Sequence, residues 1–169
     1  GYKFINEKNL KKYIGKVDKK GAYFRWSVRF TQDELTRVVN QKCNTSFETV
    51  TSLNPLKRGV SGRITKLEIS GIENEKTRNL QLNSEYEIRD ALHPEFLYSS
   101  AFIIILDLDE NQIIKFMTLK GAGWGHGVGL CQIGALGMAL SNKTSAEILF
   151  HYFPSTKIKK IYDLSLIHI

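Results

Sequence analysis

Between Gly121 and Gly129 every second residue is glycine, in the run Gly121-Ala-Gly-Trp-Gly-His-Gly-Val-Gly129. Glycine loses more backbone entropy on folding than any other residue. Such clustering is kept only where the chain needs unusual dihedral angles or where another group must approach the backbone closely. The side chains set between the glycines include an indole, Trp124, and an imidazole, His126, which supply a stacking surface and a proton-transfer group. The spacing of Leu130, Ile133, Leu136, Gly137 and Leu140 then predicts a helix from about Val128 to Leu140 with these residues on one face. A loop that feeds a helix N-terminus leaves backbone N–H groups to hold an anion or a polarised oxygen. A strand-to-helix turn built purely for packing would use the same residues, and the sequence leaves both readings open. The run contains neither G-x-G-x-x-G nor G-x-x-x-x-G-K-[ST], which excludes the two nucleotide-phosphate loops.

The rest of the chain is dominated by short strands. Ala22–Phe30 alternates large apolar residues with Arg and Ser and predicts a strand. Thr31-Gln-Asp-Glu34 has the capping-box spacing and opens a helix that turns Leu35, Val38 and Val39 inward. Phe47–Leu56 reads as extended, residues 57–62 as a turn, and Arg63–Ser70 as the next strand, with residues 77–82 pairing with it. Asn83 or Ser84 caps a helix over Glu85–Leu92 that ends before Pro94. Ser100–Leu108 and Gln112–Lys120 predict a hairpin that delivers the chain into the glycine loop. Ser145 is expected to cap a short helix through Tyr152, and Lys157–Tyr162 to form a last strand. The expected class is α+β with a mostly antiparallel sheet and short helices.

At 169 residues the chain is long enough to bury one proper core. It opens at Gly1 without an apolar leader, and residues 1–22, rich in lysine, read as the tail of a preceding N-terminal portion. Membrane anchoring is expected only through that portion. Residues 163–169 read as a non-native or disordered tail. The formal net charge of +7 points to an anionic partner or surface. Nucleic acid is not expected, because no zinc-finger, RNP-type or helix-turn-helix signature is present and the lysines are not interleaved with aromatics. Cys43 and Cys131 form no C-x-x-C pair or disulfide framework.

Among candidate binding residues, Trp124 is suited to stack on the apolar face of a sugar ring or else to cap the core. His126, flanked by Gly125 and Gly127, suits hydrogen bonding to a ligand better than metal ligation. Cys131, His93 and His151 give it no zinc spacing, so no metal site is expected. Gln132, near the start of the predicted helix, can bond hydroxyls or amides. Arg89 can bind a carboxylate or pair with Glu85 four residues earlier. No G-x-S-x-G elbow marks a serine nucleophile, and none of the glutamates stands in a context that singles it out as a catalytic acid.

Gly123-Trp-Gly-His-Gly-Val-Gly-Leu-Cys-Gln-Ile-Gly-Ala-Leu-Gly-Met138, followed by Glu147-Ile-Leu-Phe-His-Tyr-Phe-Pro-Ser-Thr156, resembles the C-terminal signature of the SpoIID/LytB family. The Trp26 strand with its Asp33-Glu-Leu helix, Ser61-Gly-Arg-Ile64, Leu67-Glu-Ile-Ser-Gly71 and Glu87-Ile-Arg-Asp-Ala-Leu92 are similar too, so the resemblance spans residues 23–162. It implies peptidoglycan as partner, a location outside the cytoplasm, and a lytic transglycosylase or, alternatively, a module that enhances a separate cell-wall amidase. The family's catalytic glutamate, and the His/Cys cluster that holds zinc in some members, lie in its N-terminal half. The resemblance therefore assigns no catalytic residue and no cofactor to this chain.

Overall fold

The computed structural model describes residues 23, 25–110 and 114–159. The expected tails over 1–22 and 163–169 lie outside them. Gly21–Gly127 forms one compact unit, and the described residues from Val128 onward belong to another. The class is α+β, with two antiparallel three-stranded sheets and four short helices among the described residues.

The first unit begins with β1 (Arg25–Thr31), whose alternation buries Trp26 and Phe30. Thr31 then caps α1 (Gln32–Cys43) through the expected capping box with Glu34. Leu35, Val38 and Val39 are buried. Helix α1 is tied to the next strand by Thr36, whose hydroxyl donates to the Gln32 carbonyl at 2.9 Å and accepts from Val50 N–H at 2.9 Å. Asn44, in the left-handed region at φ 55°, ends the helix.

Strands β2 (Thr49–Arg58), β3 (Ile64–Glu73) and β4 (Lys76–Leu82) form one sheet in that order. Central β3 buries Ile64, Leu67 and Ile69. Ser84 caps α2 (Glu85–Ala91) by accepting from Glu87 N–H, while the Glu87 carboxylate accepts from Asn83 N–H, so both candidate cap residues take part. The second sheet has the order β1-β6-β5, with β5 (Phe102–Leu108) and β6 (Ile114–Ala122) as the expected hairpin. One core joins the two sheets and both helices, with Phe102, Met117 and Leu119 meeting Leu35, Ile88 and Leu92.

The second unit holds α3 (Gln132–Ala139) and α4 (Ser145–Tyr152). Helix α3 starts four residues later than its periodicity suggests. Gly127 and Gly129 stand at φ 71° and 84°, which a right-handed helix cannot contain, so the first turn forms only after Cys131 caps it through its sulfur. The apolar face of α3 is not buried: Ile133, Leu136 and Leu140 are exposed, and neither helix has a buried residue. Thr144, rather than Ser145, caps α4 in a capping box with Glu147. Hydrogen bonds from Lys143 and Thr144 hold the Glu147 carboxyl down at a pKa of about 2. The two helices meet at Gly134, where an added Cβ would lie 2.0 Å from the Tyr152 hydroxyl. Lys157–Lys159 are irregular instead of extended, and the rest of the strand expected there lies outside the described residues.

Candidate functional site

The glycine run begins inside the sheet. Gly121 pairs with Trp26 across β1 and β6, and a Cβ there would fall 2.0 Å from the indole ring. This first glycine is a seat for a core tryptophan. Lying flat on it, Trp26 extends its Nε1–H to the Gly123 carbonyl at 3.0 Å and so pins the start of the loop.

From there Gly123, Gly125, Gly127 and Gly129 all adopt positive φ, while the residues between them do not. Gly125 donates its N–H to the Tyr98 carbonyl at 2.8 Å, and its own carbonyl accepts from Arg63 Nε at 3.1 Å. The space beside Gly125 is open, so only its φ of 86° requires glycine. At Gly127 both reasons apply, because the Arg63 guanidinium occupies the place of a Cβ at 2.2 Å. The loop is thus clamped from three sides, and the Gly125 N–H is spent on the fold. Arg63, just before β3, is a positioning residue for the loop.

The clamps turn Trp124 outward. It is 67% exposed, against 7% for Trp26. Its ring lies 4.8 Å from that of Tyr23, Tyr23 lies 5.1 Å from Tyr98, and Tyr98 lies 5.6 Å from Trp26 and 6.2 Å from the His93 ring. A run of rings therefore rises from the core tryptophan to the exposed one. His126 is exposed beside it. Gly125, His126 and Gly127 sit with Trp124 in the clamped loop, and Gln132 is the first residue of α3 in the other unit.

Arg89 is held within the fold. It is 7% exposed, donates from Nε to the Leu97 carbonyl at 2.8 Å, pairs with Glu85 at 3.4 Å, and stacks its guanidinium on Phe96. Of the two roles open to it in the sequence, these contacts are the structural one. Among the described residues no three His, Cys, Asp or Glu side chains are grouped to hold a metal ion. No described helix is long and apolar enough to cross a membrane. Cys43 and Cys131 are both free thiols, and burial, reinforced by Asp90 and Glu87, pushes the Cys43 thiol up to about 11.

Tyr23 and Tyr98 were not visible as site residues in the sequence. For Tyr23 a signal existed: Trp26, Val28 and Phe30 share the inward phase of β1, and Tyr23 falls on the opposite phase with Arg25 and Arg29. Tyr98 reaches the loop through tertiary packing alone and carries no local pattern.

The chain belongs to the DUF8618 family, a domain of unknown function, whose model matches residues 2–129. The matched residues include the whole ring run and the glycine loop. The chain is also 35% identical over 98 residues to an uncharacterized protein of Brachyspira hyodysenteriae, a match that takes 58% of this chain and 23% of that protein. The chain thus spans about a quarter of the length of the curated relative it matches.

Proposed function

For this member of the DUF8618 family we propose a role in gripping peptidoglycan glycan strands, as one wall of the substrate groove in a SpoIID/LytB-like lytic transglycosylase of the cell envelope. The observation that carries the reading is the run of rings ending in Trp124 at 67% exposure. An exposed indole backed by a second ring gives up hydrophobic stabilisation unless something covers it. Saccharide rings present apolar faces of matching size, and a clamped glycine loop lets them approach the backbone without side-chain obstruction. The similarity of the Gly123–Met138 and Glu147–Thr156 segments to the SpoIID/LytB signature supplies the rest of the support. In this reading Trp124 and Tyr23 stack on sugar, His126 bonds its polar groups, and Arg89 holds α2 in place. The catalytic glutamate, and any zinc, belong to sequence outside this chain.

The net charge of +7 favours a second reading, in which the chain binds the anionic wall and enhances a separate amidase without cutting glycan. Co-sedimentation with purified peptidoglycan at high salt tests the grip. The chain is expected to stay on the wall, and its Trp124→Ala variant to stay in solution. Release of the parent chain by salt alone would reduce the interaction to charge and overturn the proposal. Anhydro-muramyl ends in digests by a full-length protein containing this chain separate the transglycosylase from the amidase-enhancing module.

A further inference from the structure

At the end of the β1-β6-β5 sheet where Arg25, Phe102 and Ala122 lie is a cleft of about 600 Å³ within the Gly21–Gly127 unit. Three cations line it, Arg25, Arg58 and Lys120, and no Asp or Glu does so among the described residues. The register explains the convergence. Arg25 pairs with Ala122 and Ser27 with Lys120, so Arg25 and Lys120 are diagonal neighbours on one face, with Ile103 beside Lys120 on β5.

Arg58 arrives from the end of β2 and is fixed there by two carbonyls. Its Nη1 donates to Gly62 O and its Nη2 to Phe102 O, both at 2.8 Å. A guanidinium carries five N–H donors, so three remain after these bonds. Partial burial draws the Arg58 pKa below its ordinary value, and no carboxylate lies within ion-pair distance among the described residues. Lys120 likewise makes no ion pair among them. Arg58 and Lys120, like charges with no carboxylate in ion-pair distance among the described residues, repel one another, and a fold that fixes the first on backbone carbonyls has oriented it for something anionic. Beside the charges, Ile103 is 58% exposed and Ala101 and Ala122 add apolar surface.

We propose that this cleft binds an oxyanion carrying more than one negative charge, attached to a small apolar body. The charged group sits between Arg58 and Lys120, with Arg25 at its side, and the apolar part rests on Ile103. A phosphoryl group and a pair of carboxylates share this chemistry. The inference stands independently of the glycan reading, because the cleft is lined by neither Trp124 nor Tyr23, the rings on which that reading rests.

The test is an NMR titration of the full chain with inorganic phosphate in one arm and succinate in the other, at constant ionic strength held with sodium chloride. Saturating shifts centred on Ile103, Lys120 and Ala122 are expected in at least one arm, and the tighter arm identifies the source. Lys120→Gln should weaken that binding by roughly tenfold, the scale of one hydrogen bond to a charged group. Arg58→Lys should do the same, since an ammonium loses the fork that grips two oxygens. Arg58 also ties Phe102 and Gly62 together, so Lys120→Gln decides the matter if the Arg58 variant unfolds. No saturation in either arm, or undiminished binding in Lys120→Gln, would overturn the proposal.

Discussion

The two tryptophans of this chain have opposite fates although both are set among the same glycines. Trp26 lies on Gly121, is all but sealed from solvent, and spends its one donor on Gly123. Trp124, one residue beyond that acceptor, is held out by loop backbone that Tyr98 and Arg63 fasten on either side. The same residue type thus serves the core at one position and stands ready for a ligand at the other. What decides between them is what occupies the space beside the glycine. At Gly121 a ring fills it; at Gly125 nothing does.

The largest expected effect comes from erasing the buried member. Trp26→Ala should cost about 3–5 kcal/mol, the range for removing a core aromatic, and chemical denaturation will show whether the unit survives it. A smaller loss is expected from Gly121→Ala, whose methyl must displace the indole; overpacking of this kind costs about 1–3 kcal/mol. Gly125→Ala meets no neighbour and should lose only the penalty of a left-handed alanine, roughly 1–2 kcal/mol. If Gly121→Ala proves milder than Gly125→Ala, the distinction between a packing glycine and a conformational glycine fails.

The thiols provide a further contrast without changing stability. Cys131 is exposed, whereas Cys43 is partly buried with its thiol pushed up to about 11. A thiol-specific reagent at pH 8 should label Cys131 well before Cys43. Equal rates would mean that the α1 end of the core opens readily.

The strands and caps were legible because each is set by local chemistry. Thr31 with Glu34, Ser84 with Glu87, and the alternation of Trp26, Val28 and Phe30 all state their structure within a few residues. The start of α3 was not, because hydrophobic spacing says nothing of the positive φ values at Gly127 and Gly129, which hold the helix off until Gln132. Nor was the exposure of the apolar face of α3 legible, since periodicity shows that a stripe exists without showing what covers it. In the site, the unusual character of Trp124 and His126 was plain from their glycine neighbours. The ring that backs Trp124 and the arginine that clamps its loop come from 101 and 62 positions away, at Tyr23 and Arg63, and only the fold brings them there.

The central claim is that Trp124 faces a ligand and contributes little to folding. It is tested most directly by measuring, on the Trp124→Ala chain, both the denaturation midpoint and the affinity for a soluble peptidoglycan fragment. Stability should stay within about 0.5 kcal/mol of the parent, as for an exposed position away from caps and core. Affinity should fall about tenfold or more, the loss expected when a large ring that covers apolar surface is removed. A variant that unfolds while whatever remains folded binds the fragment as tightly as before would contradict the account.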